Sequence, residues 1–154
     1  MVILSWVRRH RGTVWLLTVL IVMGVVLGVG VWRRQRDYRT FHGKTLCLVV
    51  KDKDSARQAA VFFDEAAQQA VLSCEEVRIP YRFNGVYDRY NALQEAFGTN
   101  LSDYCGRLCQ QYRFRWEKNN GEESRTLTLL VCDRYLIGGD ISDNDFDGEM
   151  RGLV

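Results

Sequence analysis

Residues 13–32 read TVWLLTVLIVMGVVLGVGVW and contain no charged side chain. As an α-helix that rises about 1.5 Å per residue, this stretch spans about 30 Å, the thickness of the hydrocarbon core of a bilayer. Trp15 and Trp32 lie near its two ends, where aromatic rings prefer the membrane–water interface. The stretch predicts one transmembrane helix. Because it is longer than the apolar core of a secretory signal peptide, we interpret it as an uncleaved signal anchor.

The anchor divides the chain into four predicted parts. A short basic tail covers residues 1–12, the transmembrane helix residues 13–32, a juxtamembrane linker residues 33–43, and a single domain residues 44–154. About 110 residues are enough for one compact domain with one core.

Basic residues flank the helix on both sides, and they bear on its orientation. They are Arg8, Arg9 and Arg11 before the helix, and Arg33, Arg34, Arg36, Arg39 and Lys44 after it. The positive-inside rule slightly favours a cytoplasmic domain on this count, but the margin leaves the orientation open. Gly24 and Gly28 also have the spacing of a weak membrane-helix homodimer, although glycine is common in such helices in any case.

The net charge of the whole chain, +2, hides an uneven distribution. The chain after Arg36 contains 15 basic residues and all 19 acidic residues, so its net charge is −4. Nucleic-acid binding requires a basic surface for phosphate groups. We therefore expect no nucleic-acid partner, and we expect the flanking arginines to lie beside anionic lipid headgroups.

The first part of the domain predicts a strand, a helix and a second strand. Thr45–Val50 is short and apolar, as in a buried strand. Ser55 is the predicted N-cap of a helix, and Val71–Ile79 predicts a strand that Pro80 closes. Residues at helical spacing form one apolar face of the first helix: Ala56, Ala59, Ala60, Phe63, Ala67 and Ala70.

A second helix is predicted between Asn84 as its N-cap and Gly98 as its left-handed C-cap. Its predicted buried face consists of Val86, Tyr87, Tyr90, Leu93 and Phe97.

The last third of the chain alternates between apolar and polar residues, which predicts strands with one buried face and one polar face. Turns are predicted at Asn119–Gly121 and at Asp133–Arg134, and the last strand at Tyr135–Ile141. The predicted fold class is α+β, with two helices packed on a mainly antiparallel sheet of about four or five strands.

Residues at preserved spacing from about Val77 onward carry a resemblance to a known family. They are Ile79-Pro80, Phe83, Val86-Tyr87, Tyr90-Asn91, Leu93-Gln94, Gly98, Leu101-Ser102, Tyr104, Gly106, Leu136–Asp140, Asp147-Gly148 and Met150. With these residues the chain resembles a family of short single-pass membrane proteins of Gram-positive bacteria, catalogued only as a domain of unknown function. The resemblance implies an anchored domain outside the membrane, without established activity or catalytic residues. The chain departs from it at Cys105, at Cys109 and in the acidic run Asp143–Asp147.

No catalytic set is visible in the sequence, so we predict no catalytic residue, no cofactor and no enzyme. The two histidines, His10 and His42, flank the membrane segment. The predicted domain core therefore lacks the histidine that most nucleophile–histidine catalytic sites and most zinc sites require. Gly138-Gly139-Asp140 predicts a bend at the end of a strand rather than a phosphate-binding loop.

The acidic run contains the most specific chemical motif. Asp143, Asp145, Asp147 and Gly148 match the first half of a calcium-binding loop, with oxygen ligands at positions 1, 3 and 5 and glycine at position 6. The glutamate expected at position 12 is Val154. We therefore keep the three aspartates only as weak metal candidates and interpret the run as a solvated acidic segment.

Five cysteines leave at least one thiol without an intramolecular partner. We expect Cys47, Cys74 and Cys132, in predicted strands, to be small core residues. A bridge between Cys105 and Cys109 requires a bend at Gly106, and we do not expect it.

The resulting functional hypothesis is a membrane-tethered, non-enzymatic α+β module that binds a protein or a cell-envelope component. One alternative is a hydrolase that uses two carboxylates from among Asp140, Asp143, Asp145, Asp147 and Glu149. The other is a domain that calcium stabilises through the acidic run. The arginine count and the family resemblance disagree on orientation, and we follow the resemblance in expecting the domain on the extracytoplasmic side.

Overall fold

The computed structural model describes residues 11–118, 123–143 and 150–154. The chain divides into two units, with the boundary between Asp37 and Tyr38. Helix α1 (Arg11–Asp37) belongs to the first unit. Within it, the candidate span Trp15–Asp37 contains an 18-residue window with a mean hydropathy of 2.4 and no buried residue, so by length and composition the helix can cross a membrane.

The second unit is built on a five-stranded antiparallel meander in the order β3-β4-β5-β6-β7. The strands are β3 (Val71–Arg78), β4 (Leu108–Lys118), β5 (Glu123–Cys132), β6 (Tyr135–Asp143) and β7 (Met150–Gly152). Two α-helices accompany the sheet, α2 (Lys53–Phe63) and α3 (Gly85–Phe97), together with 3₁₀ helices at Glu65–Gln68 and Leu101–Tyr104. The predicted α+β class is confirmed.

A two-stranded hairpin, β1 (Tyr38–Phe41) and β2 (Lys44–Cys47), comes before the sheet in the chain. Part of the predicted linker is therefore strand, and the predicted strand Thr45–Val50 is divided. Its second half pairs with the start of β6, where the Leu136 amide donates to the Leu48 carbonyl at 2.8 Å. The outer edge of β6 is shared between Leu48–Val50 and β7, a strand that the sequence did not predict.

Helix α2 begins one turn earlier than predicted. Asp52 is its N-cap, and Ser55 is the third helical residue. The Ser55 amide donates to Asp52 Oδ1 at 2.8 Å, and the Asp52 amide donates to Ser55 Oγ at 3.0 Å. The predicted N-cap was wrong because Ser55 completes a reciprocal capping box that the aspartate starts. The predicted alanines are buried as expected: Ala56, Ala59, Ala60, Ala67 and Ala70. They do not form one helical face, because α2 ends at Phe63, Ala67 lies in the 3₁₀ helix Glu65–Gln68, and Ala70 follows that helix.

Helix α3 has the predicted caps but not all of the predicted buried face. The Asn84 side chain accepts from the amides of Val86 and Tyr87, and Gly98 ends the helix with φ +85°. Val86 is 73% exposed, which corrects its assignment to the buried face. The fully buried residue that the pattern missed is Gln94.

Strand β6 contains the Gly138–Asp140 motif in its interior, so the predicted strand end at this motif was wrong. Between Leu136 and Gly138 the register with β5 shifts, which is a β-bulge. A Cβ atom at Gly138 would overlap the side-chain oxygen of Gln94, and one at Gly139 would overlap the Thr128 carbonyl. The glycines therefore permit close packing of α3 and β5 against β6, and the strand continues to Asp143.

The sheet has a core on each face. The larger core joins the α2 alanines to aromatic and aliphatic residues of the sheet, among them Tyr112, Phe114, Leu127, Leu129 and Val131. The smaller core lies on the other face and consists of Ile79, Leu101, Cys109, Leu130, Cys132 and Ile137. Beside the smaller core, this second face carries the polar side chains described next.

Candidate functional site

A cleft of about 990 Å³ lies between α3 and the second face of the sheet. Its polar lining consists of Arg78, Tyr87, Arg89, Tyr90, Gln111, Arg113, Thr126, Thr128, Asp140 and Ser142. Its apolar lining consists of Val77, Ile79, Val86, Leu93, Leu130 and Met150. A volume of this size is sufficient for a small ligand or for several residues of an extended chain.

The floor of the cleft is a row of polar residues across three strands. Arg113 on β4 is opposite Thr128 on β5, and Thr128 is opposite Asp140 on β6. Because successive side chains of a strand alternate between faces, the same period that buries Phe114 and Leu127 turns these polar residues toward α3. The row is thus a direct result of alternation in three neighbouring strands.

Asp140 and Tyr90 form a buried pair at the bottom of the cleft. The Tyr90 hydroxyl donates to Asp140 Oδ1 at 3.0 Å, and Asp140 is only 5% exposed. Burial raises the pKa of Asp140, although hydrogen bonds from Tyr90 and Thr128 and the charge of Arg113 act in the opposite direction. Burial and the adjacent carboxylate raise the pKa of Tyr90 as well, so the hydroxyl remains a donor.

Among the described residues that line the cleft, three are arginines and Asp140 is the one acidic residue. Arg113 is half-exposed; its Nη1 lies 2.7 Å from Glu75 Oε1, and its Nη2 donates to Gln111 Oε1 at 2.9 Å. Arg78 donates from Nη1 to the Gly106 carbonyl at 2.7 Å. These contacts orient the guanidinium groups of Arg113 and Arg78. The third arginine, Arg89, lies on α3 and lines the opposite side of the cleft. The cleft is therefore a basic site on an acidic domain.

Asp140 and Asp143, the two described carboxylates among those proposed for a hydrolase, do not meet at this site. Asp140 faces the cleft, whereas Asp143 forms an ion pair with Arg125 at 2.6 Å, and Arg125 also reaches Asp64 at 3.4 Å. Asp140 and Asp143 differ by an odd number of residues along β6 and so point to opposite faces. The other candidates, Asp145, Asp147 and Glu149, lie outside the described residues.

The weak metal candidates are similarly divided. Asp143 is engaged by Arg125, so the first ligand of the proposed calcium loop already has a cationic partner. Asp145, Asp147 and Gly148 are outside the part of the chain that the structure describes, as is the predicted turn at Asn119–Gly121. Within residues 11–118, 123–143 and 150–154, no three histidine, cysteine or acidic side chains cluster as metal ligands.

The sequence indicated several cleft residues without bringing them together. Gln111 and Arg113 occupy polar positions in the alternating pattern of the last third of the chain, and the predicted buried face of the second helix includes Tyr90. The missing information was the register of β4, β5 and β6, which decides that Arg113, Thr128 and Asp140 are neighbours. Register depends on contacts between distant segments and is not visible in the pattern of a single strand.

Comparison with protein-family models, with curated proteins and with solved structures found no match to this chain. The family resemblance described above therefore rests on its residues alone.

Proposed function

We propose that this chain is a membrane-tethered, non-enzymatic binding module whose cleft between α3 and the sheet holds an anionic segment of a protein or of a cell-envelope component. Helix α1 is the tether, and the bilayer is its partner. The observation that carries the proposal is the concentration of Arg78, Arg89 and Arg113 around one cleft on a domain that is acidic in total. Guanidinium groups bind carboxylates and phosphates through paired hydrogen bonds.

The bottom of the cleft supports binding rather than hydrolysis. Hydrolysis by carboxylates needs two acids about 5–10 Å apart. Asp140 is the one acid that lines the cleft within residues 11–118, 123–143 and 150–154, and its hydrogen bonds with Tyr90 and Thr128 make it a fixed polar contact for a bound group.

We place the domain on the extracytoplasmic side, as the family resemblance implies. Cys47 and Cys74 are exposed, so the prediction that they are core residues was wrong. Their thiols can serve as labelling sites in a test of the orientation. An impermeant thiol reagent applied to intact cells should label the full-length protein. Labelling should disappear in a Cys47→Ser, Cys74→Ser, Cys105→Ser triple variant, because Cys105 is partly exposed as well and the other two cysteines are buried. Labelling that requires cell lysis would place the domain in the cytoplasm.

Site-specific photocrosslinking in membranes tests the location of the binding site. Val86 borders the cleft and is 73% exposed, whereas Val71 lies on β3 outside its lining and is 76% exposed. A photoreactive residue at position 86 should give a discrete crosslinked product, and the matched residue at position 71 should not. Equal products at the two positions would contradict a site in the cleft.

Arginine variants test the chemistry of the ligand. Arg113→Gln should reduce the product at position 86, whereas Arg115→Gln should not, because Arg115 is an exposed arginine of the same strand outside the cleft. An added oligoglutamate should compete for the site of the full-length protein, and an oligolysine of equal length should not. Competition by oligolysine alone would show that the ligand is cationic and would refute the proposal.

A further inference from the structure

Two cysteines lie opposite each other at the end of the β4–β5 ladder. Gln110 pairs with Val131 in this ladder, and the same antiparallel register continued by one residue places Cys109 opposite Cys132. Directly opposite residues in antiparallel strands have Cα atoms about 4.5–5.5 Å apart, within the range that a disulfide spans. The register therefore brings together two residues that are far apart in the chain.

The side chains share one environment. Cys109 is 2% exposed and Cys132 is 1% exposed, and both belong to the smaller core. Cys132 Sγ contacts the carbonyl of Leu108, the residue before Cys109, at 3.8 Å, and both cysteines are free thiols in the structure. The side chain of Cys132 thus reaches across to the backbone of β4 next to Cys109.

We propose that Cys109 and Cys132 are a disulfide pair, which closes β4 onto β5 when the chain folds in the presence of a disulfide oxidant. The cysteine expectation from the sequence considered Cys105 with Cys109; the register assigns Cys109 a different partner. This inference is independent of the ligand that the cleft binds.

The reaction is thiol–disulfide exchange. One cysteine thiolate attacks a disulfide of low molecular weight, which forms a mixed disulfide and releases one thiol. The second thiolate then attacks the protein sulfur of the mixed disulfide and releases the other thiol. The protein loses two electrons and two protons, and the oxidant is reduced to two thiols.

Burial determines when this exchange can occur. Burial and the neighbouring Cys132 raise the pKa of Cys109 to about 12, so the folded dithiol contains very little of the reactive thiolate. Exchange is therefore slow after the strands have paired, and the bond forms during folding. Once formed, the bond is protected from reductants by the same burial.

Peptide mapping of the full-length protein in detergent micelles tests the pair. Protein that is unfolded, reduced and then refolded with oxidised and reduced glutathione is alkylated in denaturant and digested with trypsin. Cleavage after Arg107 separates Cys105, in peptide 90–107, from Cys109, in peptide 108–113, and Cys132 lies in peptide 126–134. We expect peptide 108–113 linked to peptide 126–134.

Variants show whether the disulfide joins Cys109 specifically to Cys132 and whether it stabilises the folded protein. Cys105→Ser should leave the link intact, and reduction should lower the urea midpoint of the wild type but not that of a Cys109→Ala, Cys132→Ala double variant. Alkylation of both cysteines after refolding, or a link of Cys109 to Cys105, would overturn the proposal. If the double variant does not fold, the peptide map of the wild type decides alone.

Discussion

At the scale of single residues, Gln94 is the buried polar side chain that joins α3 to β6. It is fully buried on α3, and its Oε1 accepts the Gly139 amide of the bulged strand at 2.8 Å. Its Nε2 has no hydrogen-bond partner in the described part of the chain. A polar side chain in such a place fixes the position of α3 against β6, and hence the width of the cleft.

Gln94→Ala should lower the free energy of unfolding by about 2–4 kcal/mol, because it leaves the Gly139 amide without its acceptor and opens a cavity. Urea unfolding measures this change. Gln58→Ala, on the exposed side of α2, is the control and should change stability by less than about 0.5 kcal/mol. Equal effects at the two positions would show that the Gln94 contact is not formed.

Asp140 gives a prediction on pH. Because burial raises its folded pKa above the ordinary 3.8, the folded state binds this proton more tightly than the unfolded chain does. The protonated carboxyl group of Asp140 therefore contributes fully to the stability of the fold below pH 3.8. This contribution is lost as the pH rises through the raised pKa of the folded state. The stability of the wild type relative to Asp140→Asn should fall as pH rises from about 4 toward 7, as measured by urea unfolding.

Tyr90→Phe is the companion variant for Asp140. The Tyr90 hydroxyl lowers the pKa of Asp140, so its removal should shift the pH-dependent range upward. A wild-type stability that rises relative to that of Asp140→Asn as pH increases would contradict the buried environment of Asp140.

At the scale of elements, most of the boundaries could be predicted because their signals are local. Asn84 and Gly98 limit α3 through interactions within a few residues, and alternation identified β4, β5 and β6. The N-cap of α2 was a local error, because the capping box starts at Asp52 and not at Ser55. The other errors came from non-local contacts. β7 is too short for a periodic signal and exists because Asp140 and Ser142 pair with it, and Gln94 is buried because the bulge at Gly138 approaches α3.

The cap of α3 can be tested directly. Asn84→Ala should lower the free energy of unfolding by about 1 kcal/mol, because the amides of Val86 and Tyr87 lose their acceptor. Asn84→Asp keeps an acceptor and should remain close to the wild type. Chemical denaturation of the three proteins provides the comparison, and an aspartate variant as unstable as the alanine variant would argue against capping.

At the scale of the whole molecule, the domain begins earlier than the sequence indicated. Phe41 of β1 stacks on Phe97 with ring centroids 5.2 Å apart, and it also contacts Phe62 and Phe63. Arg39 donates to the Phe97 carbonyl. The hairpin is therefore part of the domain, although its polar composition predicted a linker.

A soluble fragment that begins at Tyr38 should consequently be more stable than one that begins at Lys44, the predicted start of the domain. The shorter fragment loses β1 and uncovers Phe97, at a cost of about 3 kcal/mol or more in the free energy of unfolding. Within the longer fragment, Phe41→Ala should reproduce most of this loss. Tyr38→Ala, at a half-exposed position of the same strand, should not. Equal urea midpoints for the two fragments would refute the role of the hairpin.

The pairing of Leu48–Val50 with the start of β6 also has a consequence for biosynthesis. The outer edge of the sheet cannot close until Arg134–Leu136 have left the ribosome, long after residues 13–32 have emerged. Pairing between such distant segments is slow, because the intervening loop must first be closed. The candidate membrane span, Trp15–Asp37, therefore leaves the ribosome before the chain contains the residues that close this edge of the sheet.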